Sequence, residues 1–346
     1  MTVQALKKAA MLTVVLVITF ILCWEIFWRQ RGVDTGFDDG GPLWSHQRTR
    51  VYKPSDQSTV FIGASRIKFD LDIPTWTALT GESAVQLACV GSSPLPVLYN
   101  LADDPDFKGK VVVDVTEDIF FALYPWVNES PDKYLKYYQD ITPAQRASFV
   151  INKPLEHTFA FLDKSYHSIN ALLDRLEIKS RPGVFMQPLF PPDFERVKFD
   201  RQCYMQPSFV ADPKKQKLMA DAWRFFATFE TAPTIEGAVL DSLLETVKVA
   251  ADKIKARGGK IIYVRTPSSG AYWAADLEKY PREKYWDKLI AYTNDPGIHF
   301  LDYPATDHYV CPEDSHLRPH DAIDYTHHFV DQLEEKGWVF SKRKRN

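Results

Sequence analysis

Little in this chain points to a metal, a nucleic acid or a repeat. Four cysteines, Cys23, Cys89, Cys203 and Cys311, stand among 346 residues, and their spacing has none of the close pairs that hold zinc. Cys23 falls in an apolar run, which leaves three cysteines in the body. Three allow at most one internal disulfide with one thiol left over, and the commoner outcome for each is a free, buried cysteine acting as a small hydrophobe. The net charge of −3 gives no general reason to expect nucleic acid as a partner. The basic tail Lys342-Arg343-Lys344-Arg345 is short and reads as a solvated end. There is no internal repeat, which excludes a solenoid, and no low-complexity tract. What is present is a chain 45% hydrophobic and 25% charged, enough for a globular body with a substantial core.

One stretch stands apart from that body. From Ala9 to Trp28 the residues are almost all apolar, broken mainly by Thr13, Thr19 and Glu25. Twenty residues of helix span about 30 Å, the thickness of a bilayer core. Trp24 and Trp28 fall where an interfacial aromatic belt belongs, with Glu25 at the same depth. No small-x-small cleavage site follows, so residues 1–31 are expected as an uncleaved single-pass anchor. Lys7 and Lys8 favour a cytoplasmic N-terminus, against the opposing pull of Arg29 and Arg31, and place the body on the extracytoplasmic side of a plasma (inner) membrane. Residues 32–57 are polar and Gly-rich, with Gly40-Gly41-Pro42 and Pro54-Ser-Asp-Gln, and read as a tether.

A regular alternation follows. Short apolar runs ending at turn residues predict strands at Thr59–Gly63, Ala84–Leu87, Lys110–Val115, Lys260–Val264 and His299–Asp302. Helical patterns separate them at Pro74–Leu79, Pro94–Leu101, Ile235–Arg257 and Glu283–Tyr292, and Pro319 opens a last helix to Glu335. Strands alternating with helices imply a mostly parallel sheet covered on both faces. The expected fold is therefore α/β, a flavodoxin-like three-layer sandwich over residues 58–337 with five strands. Residues 338–346 form the tail. Between the third and fourth strands lies a long excursion, about 118–232, rich in aromatics (Tyr134, Tyr137, Tyr138, Phe149, Phe159, Phe161, Phe185, Phe190). It is expected as one mainly helical insertion or cap, most of its aromatics packing and a few able to stack on a sugar ring.

Ligands of open α/β sheets bind beyond the carboxyl ends of the strands. That edge collects Ser65 after strand one, Gly91 and Ser92 after strand two, Thr116, Glu117 and Asp118 after strand three, and Arg265 and Ser268 after strand four. Asp314 and His316 follow strand five. A serine hydroxyl becomes a nucleophile only when a base takes its proton. A histidine does so near neutrality, and an acid can hold the imidazole in one tautomer. Pro319 starts the last helix only after His316, so Asp314 and His316 lie in the preceding loop, where both can turn toward one point. The amides of Ser65 or Arg66 and of Gly91 can receive an oxyanion, and Gly91 permits close approach.

This layout resembles the SGNH, or GDSL-type, hydrolase superfamily. Gly63-Ala-Ser65-Arg66 stands where that family has its Gly-Asp-Ser block, Gly91 of Cys89-Val-Gly91-Ser92-Ser93 matches the second-block glycine, and Asp314-Ser-His316-Leu matches the last block. The resemblance implies a catalytic trio of Ser65, His316 and Asp314. It extends to the anchored members that move acyl groups onto cell-envelope polymers, such as alginate O-acetylation proteins and the D-alanyl transfer protein of teichoic acids. Two departures stand out. The commonest family spacing puts the acid three residues before the histidine, where this chain has Glu313; either acid can orient the base, and Asp314 is favoured because some anchored relatives use Asp-x-His. The third-block asparagine, an oxyanion donor, is missing, since Thr116-Glu117-Asp118 follows strand three. Arg66 and Arg265 are the candidate replacements and, with Gly91, the candidate oxyanion and substrate-binding residues.

Blander readings compete. A lone serine at a strand end is usually a turn or cap residue, Arg66 can simply pair with Asp70 or Asp72, and Arg265 also reads as structural. Glu117 and Asp118 are adjacent and point oppositely, which argues against a glycosidase pair. His316 and His320 straddle a helix start, and His327 and His328 diverge, so no metal is expected, nor any cofactor. The sequon Asn128-Glu-Ser130 reads as chance. The expected activity is that of a membrane-anchored serine esterase or O-acyltransferase working on acyl, in particular O-acetyl, groups of envelope or exported polysaccharide. The alternative is an inactive scaffold of the same fold that binds polysaccharide or a membrane-bound O-acyltransferase.

Overall fold

The computed structural model describes residues 2–174, 176, 188–229, 233–340 and 342. Phe185 of the predicted excursion and Arg343–Arg345 of the basic tail lie outside these residues. In chain order the principal elements are α1 (Val3–Arg29), α2 (Gly41–Arg48), β1 (Ser58–Ile62), α3 (Ser65–Asp70), α4 (Ile73–Thr80), β2 (Ser83–Gln86), α5 (Leu95–Asp103) and β3 (Lys110–Asp114). Then come α6 (Trp126–Asp140), α7 (Pro143–Thr158), α8 (Ile169–Asp174), α9 (Pro213–Ala227), α10 (Gly237–Ala256), β4 (Lys260–Arg265), α11 (Gly270–Lys279), α12 (Trp286–Thr293), β5 (Gly297–His299) and α13 (Pro319–Glu335). Two compact units result: residues 39–141 with 187–346, and residues 1–38 with 142–186.

The larger unit holds a five-stranded sheet in the order β2-β1-β3-β4-β5, every neighbour parallel. Its strands read as near-continuous apolar runs because both faces are covered. Period-two alternation divides the side chains. Val60, Ile62, Val111, Val113, Ile261 and Tyr263 pack under α5, α10 and α12, while Phe61, Val112, Ile262, Val264 and Ile298 pack under α3, α4 and α13. The in-register β1–β3 pairing (Val60 with Val111, Ile62 with Val113) makes both strands end at one edge.

Two expectations change. Residues 39–57 are not a tether: Leu43, Trp44 and Arg48 of α2 are buried, the Trp44 indole donates to the Leu87 carbonyl at 3.0 Å, and Arg48 binds Asp104 at 2.8 Å. The Gly40-Gly41-Pro42 run that suggested a linker instead opens a packed helix. A Cβ on Gly41 would meet Tyr137 Cγ at 2.9 Å, and Pro42 sits in the first turn, where a missing N–H costs nothing. Second, residues 118–232 are not one body, since 142–186 belong to the smaller unit. All four cysteines are free thiols, and Cys89, Cys203 and Cys311 are buried, the commoner outcome expected for each.

In the smaller unit α1 is, among the described residues, the one helix long and apolar enough to cross a membrane. Near the end of its apolar length, the Glu25 carboxylate accepts the amides of Ala160 (3.0 Å) and Phe161 (3.3 Å) and pairs with Arg29 at 2.5 Å. The segment after α7 is thereby fixed to the end of that helix.

Candidate active site

The place of Ser65 is set by how β1 ends. Gly63 lies so close to β3 that a Cβ there would meet Asp114 Cβ at 2.5 Å and Ile67 Cγ2 at 2.9 Å. The chain then turns directly into α3, with Ser65 at its first position and partly exposed. An amide there has no partner within its own helix.

His316 comes from the loop ahead of α13 and is 1% exposed. Its Nε2 lies 2.8 Å from Ser65 Oγ, and its Nδ1 lies 3.0 Å from Glu313 Oε1. A carboxylate only accepts hydrogen bonds, so Nδ1 carries the proton and Nε2 is left to accept from the serine hydroxyl. The same Glu313 oxygen accepts the His316 backbone amide at 2.7 Å, and the other, Oε2, accepts the Trp223 indole N–H. Glu313 is fully buried, with both oxygens engaged. The imidazole is walled by Phe69, Phe194 and Trp223, with ring centroids 4.5, 5.8 and 5.9 Å away.

The acid facing the histidine is thus Glu313, and the choice of Asp314 is corrected. Asp314 has a left-handed φ of 76° and turns its carboxylate outward, where it accepts the Ala271 amide at the start of α11 (3.2 Å). Its carbonyl accepts Ser269 N–H at 2.9 Å. A Cβ on Gly270 would fall 2.1 Å from Asp314 Oδ1, so glycine alone admits this contact. Partial burial lifts the Asp314 carboxyl above its ordinary range. The physical reason for the swap is local. An acid three residues before the histidine can reach both the backbone amide and the ring of that residue, whereas the residue at Asp314 is turned away by its own φ.

Neither arginine is available to an oxyanion or a substrate. Arg66, 1% exposed, binds Asp276 at 3.2 Å, lies 3.8 Å from Glu117 and covers the Tyr272 ring at 4.7 Å. Its partners are therefore not Asp70 or Asp72. Arg66 Nε also reaches Ser315 Oγ at 3.5 Å, joining the neighbours of Ser65 and His316. Arg265, fully buried, binds Glu117 (2.8 Å), Asp276 (2.9 Å) and Ser268 Oγ (2.9 Å). Burial pushes Asp276 up to about 7, Glu117 and Asp118 adding to the effect and the arginines opposing it. Asp118 accepts the Tyr272 hydroxyl at 2.6 Å.

The chain matches no protein-family model and no curated protein. The site therefore rests on its own geometry.

Backbone joins the loops after β1 and β2. Cys89 N–H donates to the Gly63 carbonyl at 3.0 Å, which ties the loop after β2 to the loop carrying Ser65. Gly91 in that loop has φ 59°, is exposed, and a Cβ on it would meet nothing within 4 Å. A positive φ there favours glycine. The position after β3 gives no substitute for an asparagine, since Thr116 bonds Asp114, Glu117 holds Arg265 and Asp118 holds Tyr272. Sequence reasoning missed Trp223 and Asp276 altogether. Nothing in sequence spacing links Trp223 to a loop 90 residues later.

Proposed function

We propose that this chain is a membrane-anchored, extracytoplasmic serine esterase or O-acyltransferase of the SGNH type. Its substrates are acyl groups, in particular O-acetyl groups, on a cell-envelope or exported polysaccharide, and a membrane-bound O-acyltransferase is a candidate partner. The single observation carrying the reading is the file of hydrogen bonds from Ser65 Oγ to His316 Nε2 to Glu313, 2.8 and 3.0 Å long. The strand order supports the flavodoxin-like three-layer sandwich expected for such a fold, with the serine beyond the carboxyl end of β1.

In the proposed reaction Ser65 Oγ attacks the acyl carbonyl while His316 Nε2 takes its proton. Glu313 stabilises the imidazolium without taking the proton itself. The amides of Ser65 and Gly91 receive the oxyanion. Collapse expels the alkoxide, which His316 protonates, and leaves Ser65 acylated. A sugar hydroxyl or water then gives its proton to His316, attacks the acyl-enzyme, and restores Ser65.

The second reading is a non-catalytic scaffold of the same fold. It is favoured by one specific feature: every side chain after β3 is already engaged, and one missing oxyanion donor costs about 10²–10³ in turnover. Labelling by a fluorophosphonate, together with release of p-nitrophenol from its acetate ester, separates the two. Serine catalysis requires labelling that Ser65→Ala abolishes. A folded wild-type chain that neither labels nor releases p-nitrophenol leaves the scaffold; labelling that survives Ser65→Ala overturns the nucleophile.

A further inference from the structure

Helix α7 is amphipathic with its faces reversed. At about 100° per residue, Ala147, Val150, Ile151, Pro154 and Leu155 share one side, and Arg146, Asn152, Lys153 and Glu156 share the other. In a helix packed on its own core the apolar side would face inward. Here Val150 is 68% and Ile151 62% exposed, no residue of α7 is fully buried, and the partly buried positions are Phe149 and Glu156 on the polar side. Within the same unit, α8 adds Ile169, Leu172 and Leu173, all more than half exposed. Contiguous exposed apolar side chains of this kind mark a surface that something covers.

The covering partner follows from where this surface is pinned. Arg29, the last residue of α1, donates to the carbonyl of Thr158, the last residue of α7, at 3.1 Å. Glu25 accepts the amides of Ala160 and Phe161, and the Trp28 ring lies 4.4 Å from His167. The reversed helix therefore ends where the apolar length of α1 ends. Arg146 and Lys153 both lie toward the Val150 edge of its apolar stripe, where long stems can carry the charge to phosphate headgroups while the apolar side chains enter the acyl boundary.

We infer that α7, with the apolar side chains of α8, lies in the headgroup–acyl boundary of the bilayer that α1 spans, so that the chain holds the membrane by an interfacial helix as well as by its anchor. This rests on reading α1 as a membrane span and is independent of the catalytic proposal. The full chain, with exposed Cys23 replaced by serine and the other cysteines buried, takes a single cysteine labelled with an environment-sensitive fluorophore in nanodiscs of phosphatidylcholine and phosphatidylglycerol. Labels at Val150→Cys, Ile151→Cys and Leu155→Cys should shift to the blue, lose quenching by aqueous iodide and gain quenching by lipids spin-labelled near the headgroup. A label at Asn152→Cys should keep iodide quenching. A control at Val15→Cys reports the span itself. Iodide quenching at Ile151→Cys beside a lipid-quenched Val15→Cys overturns the interfacial helix and leaves the span intact. An Ile151 label shielded from both quenchers means a protein covers the face and likewise overturns it. An iodide-quenched Val15→Cys removes the span on which the inference stands.

Discussion

Two buried polar clusters lie on either side of Ser65, and they are built on opposite principles. Ser65, His316, Glu313 and Trp223 form a line, each donor meeting one acceptor, which ends at a partly exposed hydroxyl. Arg66, Arg265, Glu117 and Asp276 form a closed knot in which both cations share the two acids. The line has an open end and can pass a proton; the knot sets each cation against both acids and holds loops together. Charge in a cleft is thus no guide to chemistry by itself. The arginines sit at the right edge of the sheet, next to the right serine, and are committed elsewhere.

The contrast breaks most sharply at Glu313. Glu313→Gln keeps the shape and removes the charge that fixes the imidazole, and turnover on an acetate ester should fall by about 10³–10⁴. Full activity in that variant would dissolve the line. Next comes Trp223→Phe, which keeps the ring wall and deletes the indole donor to a buried carboxylate. A hydrogen bond to a charged group is worth about 1.5–3 kcal/mol, so kcat should drop roughly 10- to 100-fold while KM stays near its wild-type value. A rise in KM with kcat unchanged would make Trp223 a substrate contact rather than a support for Glu313.

Which parts were legible in the sequence follows from how far each signal travels. Four of the five strands and the long helices are read from periodicity, because a fully buried parallel strand leaves an unbroken apolar run; the fifth, expected at His299–Asp302, instead covers Gly297–His299 and gives way to a 3-10 turn over Phe300–Asp302. Ser65 and His316 were legible because each sits at a strand end or a helix start. The acid was harder. Glu313 and Asp314 are adjacent, and the choice between them turns on one positive φ that no composition reveals. Residues 39–57 misled for the opposite reason: a Gly-Gly-Pro run serves a flexible linker and a close-packed helix start equally well, and only the Tyr137 ring against Gly41 distinguishes them. Trp223 carried no signal, since its partner is remote in sequence.

The knot also differs from the Arg201–Asp39–Lys68 cluster of the same unit in how it answers pH. Burial lifts Asp276 from 3.8 to about 7, so the native state keeps a proton that the unfolded chain has released. Its contribution to stability is complete below 3.8, declines as pH rises toward about 7, and is flat beyond. Asp70 and Asp114, also raised by burial, tilt the same way. Asp39 runs in reverse. Although burial opposes it, Arg201 and Lys68 hold its carboxyl down to about 2, so its stabilisation is present above 3.8 and lost as pH falls toward 2. Urea unfolding between pH 3 and 8 should therefore show a decline toward neutrality that Asp276→Asn flattens and an acid limb that Asp39→Asn flattens. Interchanged effects would refute the assignment.

The smallest effect is expected at the residue that the family resemblance favoured. Asp314→Asn keeps a short polar side chain that tolerates the left-handed φ and still offers an oxygen to the Ala271 amide. Its carboxylate is turned from the imidazole, so nothing in the proton relay changes. Ester turnover should stay within about threefold of wild type, and stability within about 1 kcal/mol, the scale of a weakened helix-start hydrogen bond. A loss as large as that of Glu313→Gln would mean that the two acids exchange places when substrate is bound, with the loop rotating about Asp314. The pair of variants, measured together, therefore decides whether the distinction between neighbouring acids is fixed in the resting loop or made only during the reaction.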